Sequence, residues 1–181
     1  MAFTVPIDSA VTGDIAPAAL WNTFVRDNLM STMHVLAYKS ADETISSTTL
    51  QNDDALFFAV AANERWLIEA SLMIDSNATA GFQATFTVPA SATIKFGVLT
   101  PGSTSLWVYN SASTPAALMN AGATLGQGSP AAGNIWGTIL RGIVQVAGTA
   151  GNVQLQWAQN AGPSGSTIVK ANSCLIGARL N

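Results

Sequence analysis

Acidic side chains are missing from more than half of this chain. No aspartate or glutamate follows Asp75 in a sequence of 181 residues, and the part beyond it carries only Lys95, Arg141, Lys170 and Arg179 as charges. General acid–base pairs, carboxylate metal sites and carboxylate-oriented histidines all need groups that this part lacks. Cysteine is almost absent too. Cys174 stands alone, which excludes an intrachain disulfide, and its apolar-rich setting reads as that of a small core residue. One histidine, His34, and one cysteine far from it cannot fill a four-ligand zinc site. Long hydrophobic runs are lacking: the longest, residues 56–62, falls far short of the roughly 20 residues that a bilayer span needs, so no membrane partner is expected. The N-terminal Met-Ala-Phe-Thr-Val-Pro-Ile-Asp has neither a basic nor an apolar stretch, so no secretory signal is read there. Basic clusters are missing as well. The seven Lys and Arg are scattered singly in a chain of net charge -3, which argues against nucleic acid as a partner.

What the chain does contain is apolar and uncharged polar residues. Hydrophobic residues make up 49% and charged residues 9%, against about a quarter charged in typical soluble domains. Interface cores are depleted of charge, so this bias is expected of a protein whose neighbours in a large assembly replace water over much of its surface. The bland alternative is a β-domain with a neutral exterior.

Two segments follow in order. Residues 1–15 read as an extended arm. Pro17 then suits a first helical turn, with Asp14 placed to complement the helix N-terminus. Leu20, Trp21, Phe24, Val25 and Leu29 share one face at helical spacing. A helix this short is marginal alone, so its apolar face must dock. From Thr44 onward the period is two. Trp66, Ile68, Ala70, Leu72 and Ile74 alternate with Leu67, Glu69, Ser71 and Met73, and Phe82, Ala84 and Phe86 alternate with Gln83, Thr85 and Thr87. Further strands are expected over 94–98, 106–109, 135–146, 153–158 and 168–180, with a loop over 111–133 that holds one short helical turn near 116–120. Many strands without interleaved helices predict an all-β jelly-roll sandwich over residues 41–181, preceded by the arm and attachment helix over 1–40.

Chemistry-bearing constellations are sparse. A Ser-His-Asp triad would have to use His34, in a segment that reads as a connector, with Asp27 or Asp42 as orienter, and no Gly-x-Ser-x-Gly elbow exists. Asp53-Asp54 is the densest acidic point and reads as a turn between strands. A calcium site there would need more oxygens on one loop, and a glycosidase pair would join Asp53 or Asp54 to Glu64 or Glu69. The glycines of 122–133 lack the Lys-Ser/Thr ending of a phosphate loop, and Asn77-Ala78-Thr79 is a chance-level sequon. Trp66, Trp107, Trp136 and Trp157 sit on separate strands, where core packing is the common use. Trp107 and Tyr109 share a parity and form the candidate ligand surface. No catalytic residue, metal or cofactor is expected.

The block Ala19-Leu20-Trp21-Asn22-Thr23-Phe24-Val25-Arg26-Asp27-Asn28-Leu29 resembles a recurring N-terminal block of minor structural proteins from tailed bacteriophages. Thr49-Leu50-Gln51-Asn52-Asp53-Asp54, Leu56 and Trp66, and Leu155-Gln156-Trp157-Ala158-Gln159-Asn160 followed by the final strand, are similar to them as well. The last strands also resemble, in pattern, the trimeric jelly rolls of the tumour-necrosis-factor-like and complement heads. The resemblance implies a noncatalytic virion component, assembled in the host cytoplasm: a homotrimeric capsid decoration or minor capsid protein bound to the major capsid protein or another virion protein. Attachment and oligomer contacts would fall to Leu20, Trp21, Phe24, Val25 and Leu29, and an axis to Gln154, Gln156 and Gln159, which can pair without burying charge. The alternative is a tail or head fibre tip that binds a host receptor or surface glycan.

Overall fold

A computed structural model describes residues 34–76, 79–100, 108–109, 125–127, 135–162 and 165–180. These are all-β and contain no helix. The attachment helix and the turn near 116–120 lie outside the described residues.

The strands are β1 His34–Tyr38, β2 Glu43–Ile45, β3 Gln51–Val60, β4 Arg65–Ser76, β5 Phe82–Thr87, β6 Thr93–Thr100, β7 Val108–Tyr109, β8 Leu125–Gln127, β9 Trp136–Gln145, β10 Gly151–Ala158, β11 Thr167–Val169 and β12 Cys174–Arg179. They form two antiparallel sheets. The larger runs β1-β12-β4-β9-β6-β7, with β11 on the same edge of β4 as β12 and β2 beyond β11. The smaller runs β3-β10-β5-β8. Within β3 to β10 the pairing works from the ends inward: β3 with β10, β4 with β9, β5 with β8, β6 with β7. The chain is thus a long double ribbon tipped by β6 and β7. It rolls so that β10 also meets β5 and β9 also meets β6.

Alternation explains why the ribbon closes. Ile68, Ala70, Leu72 and Ile74 of β4, Ile94, Phe96 and Val98 of β6, and Leu140 and Val144 of β9 face inward, as do Leu56 and Phe58 of β3, Phe82 and Phe86 of β5, and Val153, Leu155 and Trp157 of β10. Rings cross between the sheets: Phe58 meets Trp66 at 5.2 Å, Phe86 meets Phe96 edge-on at 5.3 Å, and Phe82 meets Trp136 at 6.1 Å. Trp66, Trp136 and Trp157 are core residues, as their alternation predicted. Gly142 faces β6 so closely that a Cβ would stand 2.4 Å from the Lys95 carbonyl oxygen, so no side chain fits there.

Four expectations give way. His34 does not lie in a connector: it opens β1, which is hydrogen-bonded into the larger sheet ahead of residue 41. The strand expected over 168–180 is two strands, because Asn172 takes a left-handed conformation (φ 70°) and Ser173 Oγ accepts from the Met73 amide at 3.0 Å in the gap. The loop expected over 111–133 contains β8. Asp53 and Asp54 lie inside β3 and not in a turn.

Candidate interaction surface

The outward side chains of the larger sheet fall in three registered rows. One runs His34, Ala178, Leu67, Ile143, Lys95; the next Leu36, Ile176, Glu69, Arg141; the third Tyr38, Cys174, Ser71, Ile139. Met73 extends the set along β4. Leu36 is 61% exposed and Tyr38 62%, with Met73 and Ile143 also well exposed. The charged pair at the centre, Glu69 and Arg141, approaches to 3.8 Å on the solvent side. Five strands about 4.8 Å apart and rows about 7 Å apart give a face of roughly 500 Å² in projection, in which exposed apolar side chains surround the central charges.

Cys174 sits in this face, partly exposed, and not in the core. His34 is exposed at the edge of the face. Its described triad partner, Asp42, is engaged elsewhere: Asp42 accepts from Lys170 Nζ and, at 2.8 Å, from the Ala171 amide. The hydrogen bonds from Lys170 and Ala171 hold its carboxyl below the usual aspartate range.

The axis candidates divide. Gln156 Nε2 donates to Asn52 Oδ1 at 2.8 Å. Gln154 Nε2 donates to the Asp53 carbonyl at 2.9 Å. Gln159 is fully buried within the subunit and donates to the Gly165 carbonyl. Leu20, Trp21, Phe24, Val25, Leu29 and Trp107 lie outside the described residues. Tyr109 pairs with Leu99 where β7 joins β6.

The carboxylates proposed for hydrolysis are not brought together. Asp53 lies near the start of β3 and Glu64 beyond its end, about 20 Å apart at the usual rise per residue. Glu64 Oε2 accepts from the Trp66 indole at 3.0 Å and from the Ala61 amide at 2.7 Å, while Oε1 pairs with Arg179 at 3.0 Å. No group of three or more metal-ligating side chains occurs among the described residues.

A buried charge cluster was not foreseen. Lys39, between β1 and β2, is 2% exposed. Its Nζ donates to both oxygens of Asp53, at 3.0 and 2.9 Å, and to Glu43 Oε2. Asp53 Oδ1 also accepts from the Ala55 and Leu56 amides at 2.9 and 2.8 Å, and Oδ2 from the Trp157 indole at 3.0 Å. Burial pushes the Glu43 carboxyl above the usual range, against the opposing pull of the Lys39 hydrogen bond. The cluster ties the edge of the larger sheet to β3 of the smaller. Removing one member of such a buried pair typically costs about 3–5 kcal/mol.

No protein-family model matches this chain, and no curated protein matches it significantly. Among solved structures it is similar to the infectious bursal disease virus Gt strain structure, with 11% identity and a TM-score of 0.23 over 82% of this chain and 37% of that one. It is similar also to the infectious bursal disease virus VP2 subviral particle, with 12% identity and a TM-score of 0.20 over 82% and 40%. This chain therefore spans well under half the length of those it matches, and overlap this loose fixes neither fold nor role.

Proposed function

We propose that this chain is a noncatalytic structural subunit of a bacteriophage virion, a homotrimeric decoration or minor capsid protein. The observation that carries the reading is the outer face of the larger sheet. Leu36, Tyr38, Ile143 and Met73 stand exposed there around the loose Glu69–Arg141 ion pair, a surface better suited to a second copy or a shell than to water. The strand order supports a jelly roll: four end-to-end pairs rolled into two four-strand sets, with β1, β2, β11 and β12 widening one of them. Jelly rolls recur in capsid and lectin domains, although a fold alone does not assign a role. In this reading the segment ahead of β1, with its apolar stripe from Leu20 to Leu29, anchors the subunit to the major capsid protein or another virion component.

Two measurements test it. Sedimentation should give about three times the 18.7 kDa chain mass; a monomer at micromolar concentration overturns the trimer. Peptides of this chain should be found in purified virions, and electron microscopy should place its sandwich on the particle. Virions without it overturn the structural role.

A further inference from the structure

The Lys39 cluster brings together the three groups needed to make a peptide-like bond between side chains: an amine, a carboxyl carbon and a second carboxyl touching the amine. We propose that Lys39 and Asp53 become joined by an amide between Nζ and Cγ inside the folded domain, with Glu43 as the proton carrier. This rests on the cluster alone and not on the virion reading.

The geometry carries the step. Lys39 Nζ is equidistant within 0.1 Å from both Asp53 oxygens, at 3.0 and 2.9 Å, so the nitrogen lies against the carboxyl group as a whole. Lys39 and Asp53 are 2% and 1% exposed, and the strands hold them in contact for as long as the domain is folded. Permanent positioning of this kind replaces a bimolecular encounter. Glu43 touches the same nitrogen, and as a carboxylate it can accept a proton from the ammonium, leaving a nitrogen lone pair free to attack Cγ; burial favours the protonated carboxyl that this transfer produces. The Ala55 and Leu56 amides, at 2.9 and 2.8 Å, hold Oδ1 as negative charge gathers on it. Oδ2, held by the Trp157 indole, departs. The nitrogen gives up two protons in all, both reach Oδ2 through Glu43, and one water leaves. Glu43 ends as it began. Ammonium plus carboxylate becomes amide plus water, with no oxidant, reductant or activating group required.

The site also favours the product. In water, an amine and an acid resist condensation largely because both are stabilised as ions. Burial withdraws that stabilisation, and a neutral amide replaces two buried charges.

The test is the intact mass of the purified full-length chain, followed by a tryptic map under denaturing conditions. The expected result is a mass lower by one water and a branched peptide linking Lys39 to Asp53, with no cleavage after Lys39. Glu43→Gln preserves the shape of the site and is expected to retain the full mass over times at which the unaltered chain is converted. Asp53→Asn should lose ammonia in place of water. A full-length mass with normal cleavage after Lys39 overturns the bond and leaves an ion pair. A lost water without the branched peptide overturns it too. Cross-linking of Glu43→Gln at the unaltered rate overturns the role of Glu43.

Discussion

Replacing Leu36 and Tyr38 together with alanine tests the apolar face most directly. Both are about 60% exposed in the subunit, so the double variant should fold as the parent does; surface truncations usually change stability by under about 0.5 kcal/mol. Truncating Leu36 removes apolar carbon worth about 0.8 kcal/mol per methylene. Allowing for the exposed share and for a partner that covers about half of it, each truncation costs roughly 0.7 kcal/mol of association. That is about 1.5 kcal/mol per subunit and about 4.5 kcal/mol per trimer, or some three decades in the trimer dissociation constant at 1.4 kcal/mol per decade. The midpoint concentration varies as the square root of that constant, so it should rise about thirtyfold. Sedimentation across a concentration series reads this shift. Phe57, 42% exposed on the smaller sheet, supplies the control: Phe57→Ala should leave the midpoint alone. If the double variant assembles like its parent, or if Phe57→Ala disrupts assembly equally, the larger sheet is not the contact.

Three further outcomes follow from the geometry. Gly142→Ala places a Cβ against the backbone of β6 and should destabilise by at least the roughly 1–3 kcal/mol of ordinary overpacking, read as a lower denaturation midpoint. Against a parent form carrying the free Lys39–Asp53 pair, Lys39→Met leaves Asp53 and Glu43 buried without their cation and should lose about 3–5 kcal/mol in urea unfolding. Glu43, raised by burial, binds its proton more tightly folded than unfolded, so the folded protein gains from it at low pH and loses that gain as pH climbs above the ordinary glutamate range. In a form carrying the free Lys39–Asp53 pair, Glu43→Gln should therefore flatten the stability profile between that range and neutrality. An unchanged slope would refute the assignment.

The strands were legible because buried apolar residues recur at every second position; β4, β5 and β9 fall close to where period two puts them. Asp53 was not legible. Its inward direction breaks the parity of Leu56, Phe58 and Val60, and the break coincides with the register shift between Gln154 and Gln156 on β10. A bulge reverses which side a residue faces, and an acid in a strand pattern then reads as a turn. Lys39 gave no signal because its burial depends on an acid far along the chain. β1 was hidden by the helical spacing ahead of it, although the alternation of His34, Leu36 and Tyr38 with Val35 and Ala37 was there to find. The final strand was read as continuous because a single left-handed asparagine leaves little trace in a hydrophobic pattern.

The pairing of His34 with Ala178 brings the entry of the sandwich and its exit to neighbouring positions on one corner. Cargo genetically appended after Asn181 would leave close to the point where the chain enters β1. A display scaffold made from this subunit would keep its passenger clear of that corner if the passenger were grafted into a turn at the opposite end of the larger sheet, such as the one between β11 and β12.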